Sequence, residues 1–281
     1  MINHKAKISI FFQFLAILVL LAAFIVGIYF VVAYWTGIVF ICTKCLGTFS
    51  KYVLNPFHLS GIFLTALLGI GLVKGFYFGF KQVVLSKRAK EKLKLSAESD
   101  SANSFAFTIG LFKPEIFISR ALTKRLSKQE LEAVLEHEKY HQLNYHPLQF
   151  LNRQIIQRIL FFIPGIKALN ERQLLEAEIN ADNSSISQAG KKPLASALLK
   201  TSQHGLKEVH HLQAIAGFCA IEHRVENIID GSRKPARNTP IFAGLLVLVL
   251  ITISTFTLHN LANAKQAAEN GEYEYCISKM M

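Results

Sequence analysis

Leu135–Pro147, LEHEKYHQLNYHP, sets three histidines and two glutamates within thirteen residues of a chain that is 51% hydrophobic. His137, Glu138 and His141 spell H-E-x-x-H. Residues four apart on an α-helix lie one turn above the other, so a helix here brings both imidazoles to bear on a single ion. That is the pattern of a zinc site. The plain alternative is a surface helix that happens to be rich in His and Glu, and the surrounding sequence has to separate the two.

Upstream, Ser127 and Glu130 form S-x-x-E just ahead of the apolar positions Leu131, Val134 and Leu135. This is a capping box, and it predicts a helix that starts there, carries H-E-x-x-H and ends near Pro147. Earlier still, FAFTIG from Phe105 and EIFIS from Glu115 read as two strands joined around Gly110 and Pro114. Phe105 to Ile109 is a candidate edge strand for an extended substrate, with an ordinary core hairpin as the alternative. Ser96–Ser104, SAESDSANS, reads as a flexible linker.

Downstream, Gln149–Asn170 is apolar but interrupted by Arg153 and Arg158, and its uncharged core holds Pro164 and Gly165. That uncharged core, Ile159–Ile166, is too short to span a bilayer, which favours an interfacial or re-entrant helical hairpin over a fourth span.

A mean hydropathy of +0.31 is high for a soluble protein. The apolar residues concentrate in three uncharged runs: Ile8–Thr43, Tyr52–Val73 and Asn238–Ala264, of 36, 22 and 27 residues. Each exceeds the roughly 20 helical residues that a bilayer core requires. The first is too long for a signal-peptide core and slightly short for two spans with a turn, so a single long helix is expected. Lys74, Lys81, Lys87, Arg88, Lys90, Lys92 and Lys94 follow the second run, and Arg233, Lys234 and Arg237 precede the third. The positive-inside rule then puts the N-terminus and the central region in the cytoplasm and the tail outside. The net charge of +12 is accounted for by these flanks and by anionic lipid, and nucleic acid is not expected as a partner. Of four cysteines, Cys42 and Cys45 form a C-x-x-C where a disulfide is chemically allowed, although packing explains them as well; Cys219 and Cys276 carry no motif.

A catalytic zinc takes three protein ligands and keeps one position open. LLEAEINADNSSI, Leu174–Ile186, supplies a third donor: Glu178, Ala181 and Asp182 give E-x-x-A-D on a further helix. Glu178 would complete a His-His-Glu set, and Asp182, one turn on, would fix the tautomer of a ligand histidine. Glu138 is placed to take the proton of the attacking water.

The segments FTIGLFKPEIFIS and LSKQELEAVLEHEKYH, followed by E-x-x-A-D, resemble the integral-membrane zinc metallopeptidases of the bacterial beta-lactam sensor and antirepressor family (BlaR/MecR-like). They are similar, more distantly, to the CAAX prenyl endopeptidase and HtpX group. The resemblance covers Phe105 to Gly190 and extends weakly to HRVENII at His223–Ile229. It implies a gluzincin fold with Zn2+ on His137, His141 and Glu178, Glu138 as general base and Asp182 behind the ligands. The family commonly has Asp five residues after the second histidine, where this chain has His146. Nine residues beyond His137 on one continuous helix, His146 is expected to face away from the metal. Arg224, and with it His223, is the candidate stabiliser of the oxyanion, with His210 and His211 also at hand; a structural salt bridge or lipid contact is the alternative for Arg224. Only Lys265–Met281 follow the third span, so the family's extracellular sensor domain is not expected here.

The expected fold is mainly α with a small β-sheet, a multi-pass membrane protein with a gluzincin-type metallopeptidase domain between transmembrane helices. Residues 1–94 form two spans with a basic cytoplasmic flank, 95–104 a linker, 105–237 the peptidase domain, 238–264 the third span and 265–281 an external tail. The expected function is a zinc endopeptidase of a bacterial inner membrane, its active site facing the cytoplasm, cutting a membrane-associated or cytosolic protein in regulated or signalling proteolysis. A separate sensor or regulator protein is an expected partner beside the bilayer. The rival from another class is a non-catalytic membrane signal transducer that keeps the fold.

Overall fold

The computed structural model describes residues 4–42, 56–98 and 104–202, together with Arg224 and Ile228. The expected third span and tail, His210, His211, His223, Cys45, Cys219 and Cys276 lie outside the described residues. The chain forms two compact units, one within Met1–Leu15 and Val73–Arg237, the other within Ala16–Leu72 and Asn238–Met281.

The helices α1 (His4–Cys42) and α2 (Pro56–Glu98) each contribute to both units, and their stretches within Ala16–Leu72 pack against each other in the second. Helix α1 is one uninterrupted element of 39 residues, as the length of its apolar run requires. A Cβ added at Gly27 would sit 2.7 Å from Thr65 Oγ1, and one at Gly69 only 2.8 Å from Phe24, so both glycines serve close helix approach. Thr65 donates its hydroxyl to Gly61 O at 2.8 Å, which satisfies it within its own helix. Leu18, Ile25, Tyr29, Phe63 and Ile70 are left exposed, a surface suited to lipid rather than to water. Among the described residues, Ala6–Val32 and Leu59–Glu91 are the two stretches long and apolar enough to cross a membrane.

The first unit holds the remaining elements. Strands β1 (Ala106–Ile109) and β2 (Glu115–Ile118) pair antiparallel, with Phe107 opposite Phe117. Gly110 turns the hairpin at φ +117°, a conformation that L side chains rarely adopt. Ser119 closes it: its N–H donates to Phe105 O, and its hydroxyl caps the short helix α3 (Arg120–Arg125) by accepting from Leu122 N.

The expected capping box then opens α4 (Lys128–Leu143). Ser127 Oγ accepts from Glu130 N at 3.3 Å, and Glu130 Oε2 accepts from Ser127 N at 2.7 Å. Helix α5 (His146–Ile159) follows after a two-residue break, then α6 (Ile166–Ala189) and α7 (Lys191–Ser202). Ala133 and Ala181 are fully buried, and Ser185 Oγ donates to Ala133 O at 2.7 Å, so α4 and α6 meet through small side chains at close range. Around that contact lie two apolar clusters, one of Leu122, Leu126, Val134 and Ala197, the other of Ala133, Leu194 and Ile228.

Two expectations are corrected. Helix α2 runs on to Glu98, three residues into the stretch read as linker, because EKLKLSAE is made of strong helix formers that outweigh its small polar residues. Helix α4 stops at Leu143 rather than near Pro147. Asn144 Nδ2 turns back to Tyr140 O at 2.8 Å, and Tyr145 takes left-handed angles (φ 52°, ψ 38°) before Pro147 starts α5 in its first turn.

The apolar segment 149–170 is a helical hairpin. Pro164 and Gly165 end the turn between α5 and α6, with Gly165 at φ 84°. At its α5 end, Ile159 and Ile155 lie where Cβ atoms on Gly75 and Gly79 would be, Arg158 stacks on Phe78 and Lys74 on Phe161. With 14 residues, α5 is too short to span.

Candidate metal centre

Helix α4 carries His137 and His141 one turn apart, and α6 brings Glu178 against them. His141 Nε2 is 3.2 Å from His137 Nε2, and Glu178 places Oε2 at 3.5 Å from His137 Nε2 and Oε1 at 3.4 Å from His141 Nε2. Ligands about 2.0–2.1 Å from a tetrahedral zinc stand about 3.3 Å apart, close to the separation of the two imidazole nitrogens and of each from its nearer Glu178 oxygen, the Glu178 carboxylate facing one histidine with each oxygen. The donor atoms all lie within 4.8 Å of one another, and Glu138 is not among them.

Glu138 is held separately. Thr108, buried on β1, places Oγ1 2.7 Å from Glu138 Oε2 and 2.9 Å from its backbone O. The hydroxyl, with one proton for these two acceptors, lies nearer the carboxylate and holds it beside the ligand set. Sequence reading passed over Thr108, although a polar residue at an inward position of an otherwise apolar strand is a signal of this kind.

Behind His137, Asp182 has no exposed surface and sets Oδ1 2.9 Å from Nδ1. Arg224 clamps that carboxylate from the other side, donating Nε to Oδ2 at 2.8 Å and Nη2 to Oδ1 at 2.7 Å, while Nη1 lies 3.1 Å from Glu178 Oε2. All three guanidinium nitrogens are committed to carboxylates. Arg224 therefore ties Asp182 to Glu178, the salt bridge that was the alternative reading of its position in HRV.

The placement of His146 is a further correction. Because Tyr145 breaks the helix, His146 does not follow α4's rotation; it folds back, is buried, and puts Nδ1 2.6 Å from His141 Nδ1. Its ring stacks on Phe150 and meets Tyr140 edge-on.

Two carboxylates face one guanidinium in a buried site, an excess of one negative charge that a protonated His137 or a bound cation balances. Burial alone would raise the Glu178 carboxyl, but His141 and Arg224 hold it well below the usual carboxylate range. Asp182 is lowered in the same way, with His137 and Arg224 overcoming burial. Burial disfavours a charged His137, yet Asp182 and Glu178 outweigh it and lift the imidazole to about 9. His141 and His146 are lowered, by burial first, and His146 reaches about 2. The charge demand of the site is thus concentrated at His137, Glu178 and Asp182, where a metal ion would meet it.

A helix bearing H-E-x-x-H, completed by a carboxylate from a second helix, defines a metallopeptidase-type centre. Residues 82–228 match the family model described as BlaR1 peptidase M56, and the chain belongs to that family. No curated protein and no solved structure matches it.

Proposed function

We propose that this protein is a membrane-bound zinc endopeptidase. The observation that carries the reading is the triangle of His137 Nε2, His141 Nε2 and a Glu178 carboxylate, with edges of 3.2 to 3.5 Å and a further carboxylate, Glu138, held just outside it. Zinc bound there supplies a Lewis acid that polarises the scissile carbonyl and activates water. Glu138 accepts the proton of the attacking water and passes it to the leaving amine, while Thr108 keeps its carboxylate aimed. Asp182 fixes His137, and Arg224 ties Asp182 to Glu178.

An extended segment of a protein substrate adds alongside β1, whose Thr108 already touches the general base; the substrate is membrane-associated or cytosolic, cut in regulated proteolysis. The cations that follow the second apolar run support a site on the cytoplasmic side of a bacterial inner membrane, and the apolar tip between α5 and α6 suits its surface. A separate sensor or regulator protein supplies the stimulus.

Glu138→Gln tests the reading against a non-catalytic transducer. The amide keeps size and hydrogen bonding but cannot take a proton, so turnover should fall by at least about 10²-fold while zinc stays bound. Cells carrying Glu138→Gln that behave like wild type, when deletion of the protein has a phenotype, would falsify the enzyme reading and favour the transducer.

A further inference from the structure

We propose that His146 is a positioning residue of the metal centre: its Nδ1 accepts the Nδ1 proton of His141 and so fixes the tautomer and ring plane that turn His141 Nε2 to the metal. The inference rests on the zinc reading above and deepens it. His141 has two faces. Its Nε2 looks into the triangle with His137 and Glu178, and its Nδ1 lies 2.6 Å from His146 Nδ1. Two imidazole nitrogens at that separation need one proton between them. A neutral histidine that gives its Nε2 lone pair to a metal carries its proton on Nδ1, so His141 donates. His146 must then offer a bare Nδ1 and carry its own proton on Nε2.

The ring is built to hold that orientation. Left-handed Tyr145 throws His146 back over the end of α4, Phe150 stacks on it with centroids 5.3 Å apart, and Tyr140 closes the edge at 5.6 Å. His137 and His141 are thus backed by different chemistry, a carboxylate for the first and a neutral imidazole for the second. A ligand backed by a neutral acceptor is less basic than one backed by a carboxylate, which makes His141 the weaker of the two.

The test uses the full-length protein in detergent, with zinc affinity measured by chelator competition, the visible absorption of the cobalt(II) form, and melting of the metal-free protein. Asn carries a neutral acceptor close to the position of the His Nδ1, whereas Leu fills space and accepts nothing. His146→Leu should weaken zinc by about 10- to 100-fold and shift the cobalt bands, and His146→Asn should stay within about threefold of wild type. Metal-free melting should not separate the two variants. Wild-type affinity in His146→Leu, or equal losses in both variants, would overturn the proposal and leave a packing role. Failure of the wild-type chain to bind zinc, or binding that survives the double change His137→Ala, His141→Ala, would sink the zinc reading and this inference with it.

Discussion

The two histidines of the centre share a helix and a face, yet the ground behind them differs. Behind His137 stand Asp182, without exposed surface, and Arg224, a charged clamp drawn from two distant parts of the chain. Behind His141 stand His146, Tyr140 and Phe150, a neutral aromatic wall from within nine residues of it. Spacing alone made the two look equivalent. The difference teaches that a repeat of four residues fixes where two ligands point, while what tunes each one arrives through tertiary contacts that the repeat does not encode.

The largest effect comes from removing what the two sides have in common. Glu178→Ala deletes the one donor that touches both histidines, and stoichiometric zinc should be lost; metal analysis of the purified protein reads this directly. Arg224 would keep its clamp on Asp182, so the fold around α6 should persist in circular dichroism. Full zinc occupancy in Glu178→Ala would remove the third ligand from the proposal.

Next is the charged side. Asp182→Ala leaves Arg224 buried with only Glu178 to answer it, and breaking a buried pair this way costs about 3–5 kcal/mol. Thermal unfolding should show that loss, and zinc affinity should fall by about 10- to 100-fold as His137 loses its anchor. Asp182→Asn should cost less in stability, since an amide still offers Arg224 an acceptor. If the Ala variant melts like wild type, the clamp is not a source of stability and the contrast between the two histidines loses its charged half.

How far the sequence carried this comparison can be read residue by residue. Ser127 and Glu130 announced the start of α4 because a capping box is local, and Leu174–Ile186 read correctly as a helix with Glu178 and Asp182 one turn apart. The long α1 followed from counting uncharged residues. Three things were hidden. Tyr145 adopts left-handed angles that its side chain does not advertise, so His146 was placed on the wrong face. Arg224 showed a cation but not its partner 42 residues away. Thr108 reaches Glu138 across 30 residues, through a strand-to-helix contact that no motif records.

Thr108 gives the next test, one that acts on the base and spares both histidines. Thr108→Val keeps the β-branched shape and removes the hydroxyl. A hydrogen bond to a charged group is worth about 1.5–3 kcal/mol, and losing part of that in aim should lower turnover by roughly tenfold with zinc affinity unchanged. A fall in zinc affinity equal to the fall in rate would move Thr108 from aiming the base to supporting the ligands.

The smallest effect on the centre is expected from the other end of α4, and it separates stability of the helix from tuning of its histidines. Glu130 accepts from Lys200, Ser196 and Ser127, and these bonds, that of Lys200 first, bring its carboxyl from 4.5 down to about 2. A carboxyl lowered in the folded state contributes stability that is complete above its unfolded value and fades as pH falls through the folded one. Wild type should therefore melt above Glu130→Gln at pH 6, and the gap should shrink between about pH 4.5 and about pH 2. Zinc affinity at neutral pH should be the same in both proteins, because the cap lies at the far end of α4 from His141. A gap that persists unchanged at the acid end would mean that the carboxylate charge contributes nothing and that the difference lies in hydrogen bonds of the cap that the amide does not reproduce. A loss of zinc with the cap intact elsewhere would instead show that α4 transmits strain along its length, and the two histidines would then owe part of their difference to their distance from Ser127.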